Sequence, residues 1–267
     1  MKKQLIVLLP FLLLLSCEKP ADWDLQNKET NLLVVEALLT NELKNHSVKL
    51  THTVTDINQK PIPVTGAAVA VSDGNNVAVF IEYPTGSGVY YSDSVQAVIG
   101  KKYYLFIDDE GSEYVASDEM VPVAPMKSIK YKPASKEEYY EIVFQDSSDP
   151  SFKEYWISWS HLPGYETEPI YSTTARVQHY TLKSIDVNEM FKPDKKKVYF
   201  PKGSYILRRK YSLSEVHQSF LRTMLSETDW RGSIFDIQKG NVLTNLSMGA
   251  IGFFAVSTVV SDTTIVK

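Results

Sequence analysis

The sequence predicts an all-β chain: an N-terminal immunoglobulin-like or transthyretin-like β-sandwich, then a second β-rich domain with one amphipathic helix. Three observations carry this. Short runs between residues 31 and 125 alternate apolar with polar positions, Gly, Asn, Asp and Pro punctuate them, and a single segment places apolar residues at helical spacing. A sheet with one face on a core and the other in water needs period-two alternation, whereas a helix needs an apolar residue every three or four positions.

The N-terminus comes first and is not part of that fold. Lys2 and Lys3 precede an apolar run over residues 5–15, which closes as Leu14-Leu15-Ser16-Cys17. A charged start, an apolar stretch of about 7–15 residues and a small residue before a cut mark an exported precursor. The stretch is too short for a membrane-spanning helix, which needs about 20 apolar residues. Its close resembles a lipobox, in which Cys17 becomes the first mature residue and carries the lipid. A cleaved signal with a chance cysteine is the plainer alternative. Two acyl chains hold a protein on a bilayer where one does so only marginally, so lipidation at Cys17 would make the membrane a partner. Residues 1–16 therefore read as signal peptide. Residues 17–30 read as lipid anchor and tether, charged and without apolar period.

Residues 1–16 hold two of the 28 basic groups and none of the 32 acidic ones, so the remainder has a formal charge of −6. That balance argues against nucleic acid as a partner, since phosphate contacts need a basic surface. With a single cysteine in the chain, no internal disulfide can form.

Seven strands are expected in the first domain, residues 31–125. They are LLVVEAL (32–38), VKLTHTVT (48–55), GAAVAVS (66–72), VAVFI (77–81), VYY (89–91), KYYLFI (102–107) and EYVA (113–116). Asp73-Gly74-Asn75-Asn76 supplies residues that tolerate the positive φ of a tight hairpin, and Asp108-Asp109-Glu110-Gly111 is a second turn. Seven short strands without helical period between them read as a sandwich, ending near Pro122-Val123-Ala124-Pro125.

The second domain, residues 126–267, is less regular and richer in aromatics. Strands are expected at 129–131, 139–144, 155–159, 175–182, 198–200, 205–207 and 250–256. One helix is expected near 213–227: Ser212-Leu213-Ser214-Glu215 reads as a capping box, followed by Val216, Phe220, Leu221, Met224 and Leu225 on one stripe. Packing of that stripe on the domain's own sheet is the expected arrangement, a partner groove the alternative.

These segments carry a resemblance. LLVVEALLTNE, VKLTHTV, PVTGAAVAVSDG, GVYYSD, GKKYYLFI and GSEYVAS are similar to the N-terminal half of uncharacterised lipoproteins grouped as domain-of-unknown-function family 4249. The closing NVLTNLSMGAIGFF resembles that family's C-terminal pattern at Asn245, Gly249, Gly252, Phe253 and Phe254. The resemblance implies an outer-membrane lipoprotein of the Gram-negative cell envelope, often encoded beside SusC-like TonB-dependent transporters, and no known reaction. The tripeptides Asp93-Ser94-Val95 and Asp262-Thr263-Thr264 also resemble O-glycosylation acceptors of related envelope proteins, with Ser94 and Thr263 the acceptor residues.

Motifs for catalysis are missing. There is no G-x-S-x-G elbow and no H-E-x-x-H helix, and Cys17 is no nucleophile if lipidated. His46 and His52 lie six apart across a strand and read as surface or turn histidines rather than a metal site. Carboxylates gather at Asp108-Asp109-Glu110 and at Asp146 with Asp149, but neither loop has the alternating acidic spacing of a calcium site. No cofactor is expected. An enzyme would need a cleft gathering Asp146, Asp149, His161 or His179.

Aromatic residues are the remaining candidates for contact. Trp156, Trp159 and Tyr165 can serve the core, a protein interface or a glycan platform. Trp156 and Trp159 are three apart, so in a strand they point to opposite faces and share no surface. The favoured expectation is an accessory or interaction protein of an envelope transport or surface complex, without catalysis and with a TonB-dependent transporter as partner. A lipid-tethered binding module for glycan or peptide is the first alternative, an envelope enzyme the second.

Overall fold

The computed structural model describes residues 31–56, 58–145, 147–182, 197–228 and 242–267. The expected signal peptide, Cys17, the tether and Asp146 lie outside the described residues. All the strands and helices described belong to the unit Asn31–Lys267.

A nine-stranded sheet fills the first half. Its strands are β1 (Leu33–Thr40), β2 (Lys44–His52), β3 (Ile62–Pro63), β4 (Ala68–Ser72), β5 (Val77–Glu82), β6 (Val89–Val95), β7 (Lys102–Asp109), β8 (Ser112–Glu119) and β15 (Ala250–Ser257). The order is β15-β1-β2-β6-β5-β4-β7-β8, with β3 beside β2. The expected alternation sets its inner face. Leu33, Val35, Val48, Leu50, Val69, Val71, Leu105 and Ile107 point inward and form one buried cluster with Phe80, Tyr90 and Tyr103. The turn at Asp73 forms as expected: Gly74 has φ of 90°, and the Asp73 carboxylate accepts the backbone N–H groups of Asn75 and Asn76 at 3.0 and 2.7 Å.

The sheet curls until β8 approaches β15, and side chains bridge the two. Asn245 Nδ2 donates to Ser117 O on β8 and to Phe254 O on β15, at 3.1 and 2.8 Å, while its Oδ1 accepts the Phe254 N–H. Asp118, 3% exposed, accepts the N–H of Val256 at 2.8 Å. A single amide and a single carboxylate thus satisfy backbone groups that a ladder would otherwise pair.

The expected cut at residues 125/126 is crossed here. The apolar run expected as a strand of the second domain, β15, instead runs parallel to β1 over eight residue pairs, from Leu33–Ala250 to Thr40–Ser257. It buries Phe254 and Val256 in the first core.

The second half packs two small sheets together. β9 (Lys130–Pro133), β10 (Tyr139–Val143) and β13 (Phe200–Pro201) form one, in the order β13-β10-β9. β11 (Ser151–Ser158), β12 (Thr174–Thr181), β14 (Tyr205–Ser212) and β16 (Val259–Ile265) form the other, in the order β12-β11-β14-β16. Tyr155, Ile157, Trp159, Phe200, Ile206 and Val266 make its buried core. A four-residue turn of helix, α1 (Ile170–Thr173), precedes β12.

Helix α2 (Glu215–Glu227) starts later than the expected capping box would place it. Ser214 is the N-cap and accepts the His217 N–H, while Ser212 belongs to β14 and its hydroxyl accepts the Thr258 N–H at 2.8 Å. The stripe faces the chain's own sheet: Leu221 and Leu225 are buried, and Phe220 and His217 stack on Phe253 of β15 at 4.7 and 4.8 Å. Val216 is the exception, 48% exposed. No helix of the described residues is long and apolar enough to cross a membrane.

Candidate interaction surfaces

The three aromatics singled out in the sequence go to three settings. Trp159 is 7% exposed and part of the second core. Trp156, one strand face away, is 46% exposed, and the Arg176 guanidinium lies 4.8 Å from its ring centre. Tyr165 packs at the edge of the second core with its hydroxyl 2.9 Å from that of Tyr139. Only Trp156 lines an open surface, where its strand neighbours include Leu207 of β14. Arg176 already occupies one face of the indole, which leaves less of it for a sugar ring to stack on.

Ser94 is exposed at the end of β6 and donates to Asn45 Oδ1 at 3.1 Å. Thr263 is exposed on β16, while its neighbour Asp262 pairs with Arg208. His46 differs from expectation. It is 2% exposed, because position 46 falls on the inner face of β2, and its Nε2 meets Val95 O at 3.0 Å. His52 Nε2 lies 4.0 Å from Asp109 Oδ2. Among the described residues no three His, Cys, Asp or Glu side chains gather as metal ligands.

Asp149, His161 and His179 also separate. His161 meets Gly203 O at 3.2 Å, and His179 stacks on Phe144 at 5.0 Å. Asp149 forms part of a charged latch over the segment joining the two halves. β14 carries three consecutive cations, Arg208, Arg209 and Lys210. Lys210, 1% exposed, binds Asp149 Oδ1 at 2.6 Å and Ala124 O at 2.9 Å, and the Ala124 N–H returns to Asp149 Oδ2 at 2.8 Å. Burial pushes the Asp149 carboxyl up, but the Lys210 ammonium and the Ala124 N–H outweigh it and hold the group below the usual range. Arg208 pairs with Asp262 and donates to Lys127 O. Arg209 points the other way and pairs with Glu42, in the turn between β1 and β2. The two buried cations, Arg208 and Lys210, thus each have a carboxylate partner and a backbone carbonyl as well, which burial of an ion demands.

An extended apolar surface lies elsewhere, on the outer face of the first sheet. Val77, Val79 and Ile81 of β5 are 66%, 63% and 72% exposed, and Tyr104 and Phe106 of β7, Tyr91 of β6 and Val115 of β8 are each 40–48% exposed. They adjoin one another across the sheet, since Ile81 is opposite Tyr91, Val79 opposite Ala70, Ala70 opposite Phe106, and Phe106 opposite Val115. Between the ridges of β5 and β7, the small outward residues of β4, Ala68 and Ala70, form the floor of a groove of about 380 Å³ that Asp108, Glu113 and Val115 also line. Seven large apolar side chains adjoining at this exposure form one contiguous patch, the kind of surface that marks an interaction site.

The model of a family described as Domain of unknown function (DUF4249) matches residues 18–263. The chain belongs to this family. No curated protein matches it. Within this DUF4249 chain the closing residues Asn245, Gly252, Phe253 and Phe254 each have a mechanical task. Asn245 joins β8 to β15, Phe254 fills the first core and Phe253 receives α2. Gly252 has φ of 94°, and a Cβ there would stand 2.1 Å from Val35 O of the neighbouring strand. The closing residues of the DUF4249 resemblance thus close the sheet, while its N-terminal segments GVYYSD, GKKYYLFI and GSEYVAS supply Tyr91, Tyr104, Phe106 and Val115 of the apolar outer face.

Proposed function

We propose that this protein is a non-catalytic, lipid-anchored interaction protein of an envelope complex, tethered through Cys17 and docking a protein partner on the outer face of the first sheet. The observation that carries the reading is the exposed apolar surface running across β6, β5, β4, β7 and β8. Its inner counterpart is a buried core, and the exposure of these outward residues to water is unfavourable by about 25 cal/mol per Å². The lipobox-like N-terminus supports a membrane anchor, and the family resemblance implies an outer-membrane position and a TonB-dependent transporter as partner.

The test is affinity purification of the full-length lipidated chain from envelopes, with a photo-crosslinking residue at Phe106 or, separately, at Trp156. A β-barrel protein crosslinked from position 106, and no longer co-purified without crosslinking by the Phe106→Asp chain, is the expected result. Equal recovery with Phe106→Asp would overturn the docking face. A second reading, a tethered glycan- or peptide-binding module, draws on the exposed Trp156 beside Arg176. Crosslinks from Trp156 alone, or glycan binding lost in Trp156→Ala, would favour it.

A further inference from the structure

The rim of the apolar face is one-sided in charge. On the outward side of β6, β7 and β8, Asp93, Asp108, Glu113 and Glu119 are exposed, against Lys102 as the one cation among the described residues there. Asp108 and Glu113 stand directly opposite each other at one end of the groove, a like-charge arrangement that costs stability in an antiparallel pair. Asp108 Oδ1 accepts the Gly111 N–H at 2.9 Å, but among the described residues neither carboxylate is in an ion pair. An unfavourable pair at the mouth of an exposed apolar groove points to a charge supplied from outside.

From this we infer, building on the docking face proposed above, that the groove over β4 takes an extended apolar segment of a protein partner whose flanking Lys or Arg residue rests on Asp108 and Glu113. The groove's dimensions suit one strand. Strands in a sheet stand about 4.8 Å apart, so the ridges of β5 and β7 lie about 10 Å apart across β4. Every second side chain of the guest can then drop between Val79 and Phe106 onto Ala70. The charge argues against the other occupants. A second copy of this chain would bring its own acidic rim against this one, and an anionic lipid surface would be repelled by four carboxylates.

The experiment uses the detergent-solubilised full chain and a fluorescein-labelled heptapeptide, Lys-Thr-Leu-Thr-Leu-Thr-Lys, whose lysines share a face with its leucines, with empty micelles as blank. Two companion peptides replace the lysines by glutamates or the leucines by serines. Anisotropy is expected to show the lysine–leucine peptide binding at least tenfold more tightly than either companion. Ala70→Leu, which fills the groove from the solvent side, is expected to weaken it at least tenfold. The double variant Asp108→Lys/Glu113→Lys leaves the groove open and is expected to reverse the preference between lysine and glutamate peptides, while Trp156→Ala changes nothing. Equal binding of the glutamate peptide, or unchanged binding by an Ala70→Leu protein of unaltered circular dichroism, overturns the inference. So does a dimer seen in sedimentation velocity and lost in Phe106→Asp, which would put a second copy on the face. Envelope crosslinks from Phe106 combined with no peptide preference would keep the docking face and remove only this partner chemistry.

Discussion

At the scale of single residues, the sharpest constraint is Gly252. Two costs combine there: a left-handed φ that any Cβ disfavours, and a collision with the backbone carbonyl of Val35 at 2.1 Å, which no rotamer relieves. Gly66 isolates the first cost, with φ of 74° and no atom within 4 Å of a built Cβ. Gly66→Ala is expected to lower unfolding free energy by about 1 kcal/mol and Gly252→Ala by more than about 3 kcal/mol, both read from urea denaturation. Equal losses would mean that β1 and β15 can part to admit a methyl group. The opposition of Trp156 and Trp159 was legible in the sequence, because period two is a property of any strand. The inward turn of His46 was not: a histidine fits either face, and only pairing in the sheet decides which.

Among elements, β14 joins the two halves, and its cations test what holds them. Removing one partner of a buried ion pair leaves an uncompensated charge, whereas replacing both with apolar residues removes the desolvation cost as well. Asp149→Ala is therefore expected to cost about 3–5 kcal/mol, and Lys210→Met with Asp149→Leu clearly less, measured by thermal unfolding. If the double variant is the less stable, the hydrogen bonds to Ala124 outweigh the charges. Most strands were readable from alternation and turn residues, yet two features were not. β16 is half polar, as the edge strand VVSDTTI permits, so its period was masked. The partner of β15 could not be seen at all, because a parallel pairing between residues more than 200 positions apart leaves no local mark. The exposed apolar face was hidden for a related reason. VAVFIE is apolar on both sides, which reads as a buried run until the pairing of β5 sends Val77, Val79 and Ile81 to solvent.

For the whole molecule, acid is the expected weakness. Burial pushes His217 down to about 4, and its Nδ1 has no partner among the described residues; burial lowers His46 as well. Above pH 6.5 both imidazoles are neutral whether the chain is folded or not. Between 6.5 and 4 the unfolded chain takes up a proton that folded His217 refuses, so stability falls with pH by about 1.4 kcal/mol per unit, on the order of 3 kcal/mol in all. Downward from 4.5 for Glu42 and 3.8 for Asp149, these carboxylates, whose folded values are lowered, lose their contribution as well, while Asp118, raised by burial above 3.8, acts in the opposite sense. His217→Phe keeps a ring on Phe253 and is expected to flatten the decline from pH 6.5 to 4 in denaturation midpoints. An unchanged slope would assign the loss to other groups. The parallel pairing of β1 with β15 also orders events in time. β1 leaves the ribosome first among the strands and β15 next to last, so the first sheet stays open until almost the whole chain has been made. A nascent chain paused short of Ala250 exposes one flank of β1, and the finished protein gains its closed sheet in a late step that a chaperone holding the unpaired strand would serve.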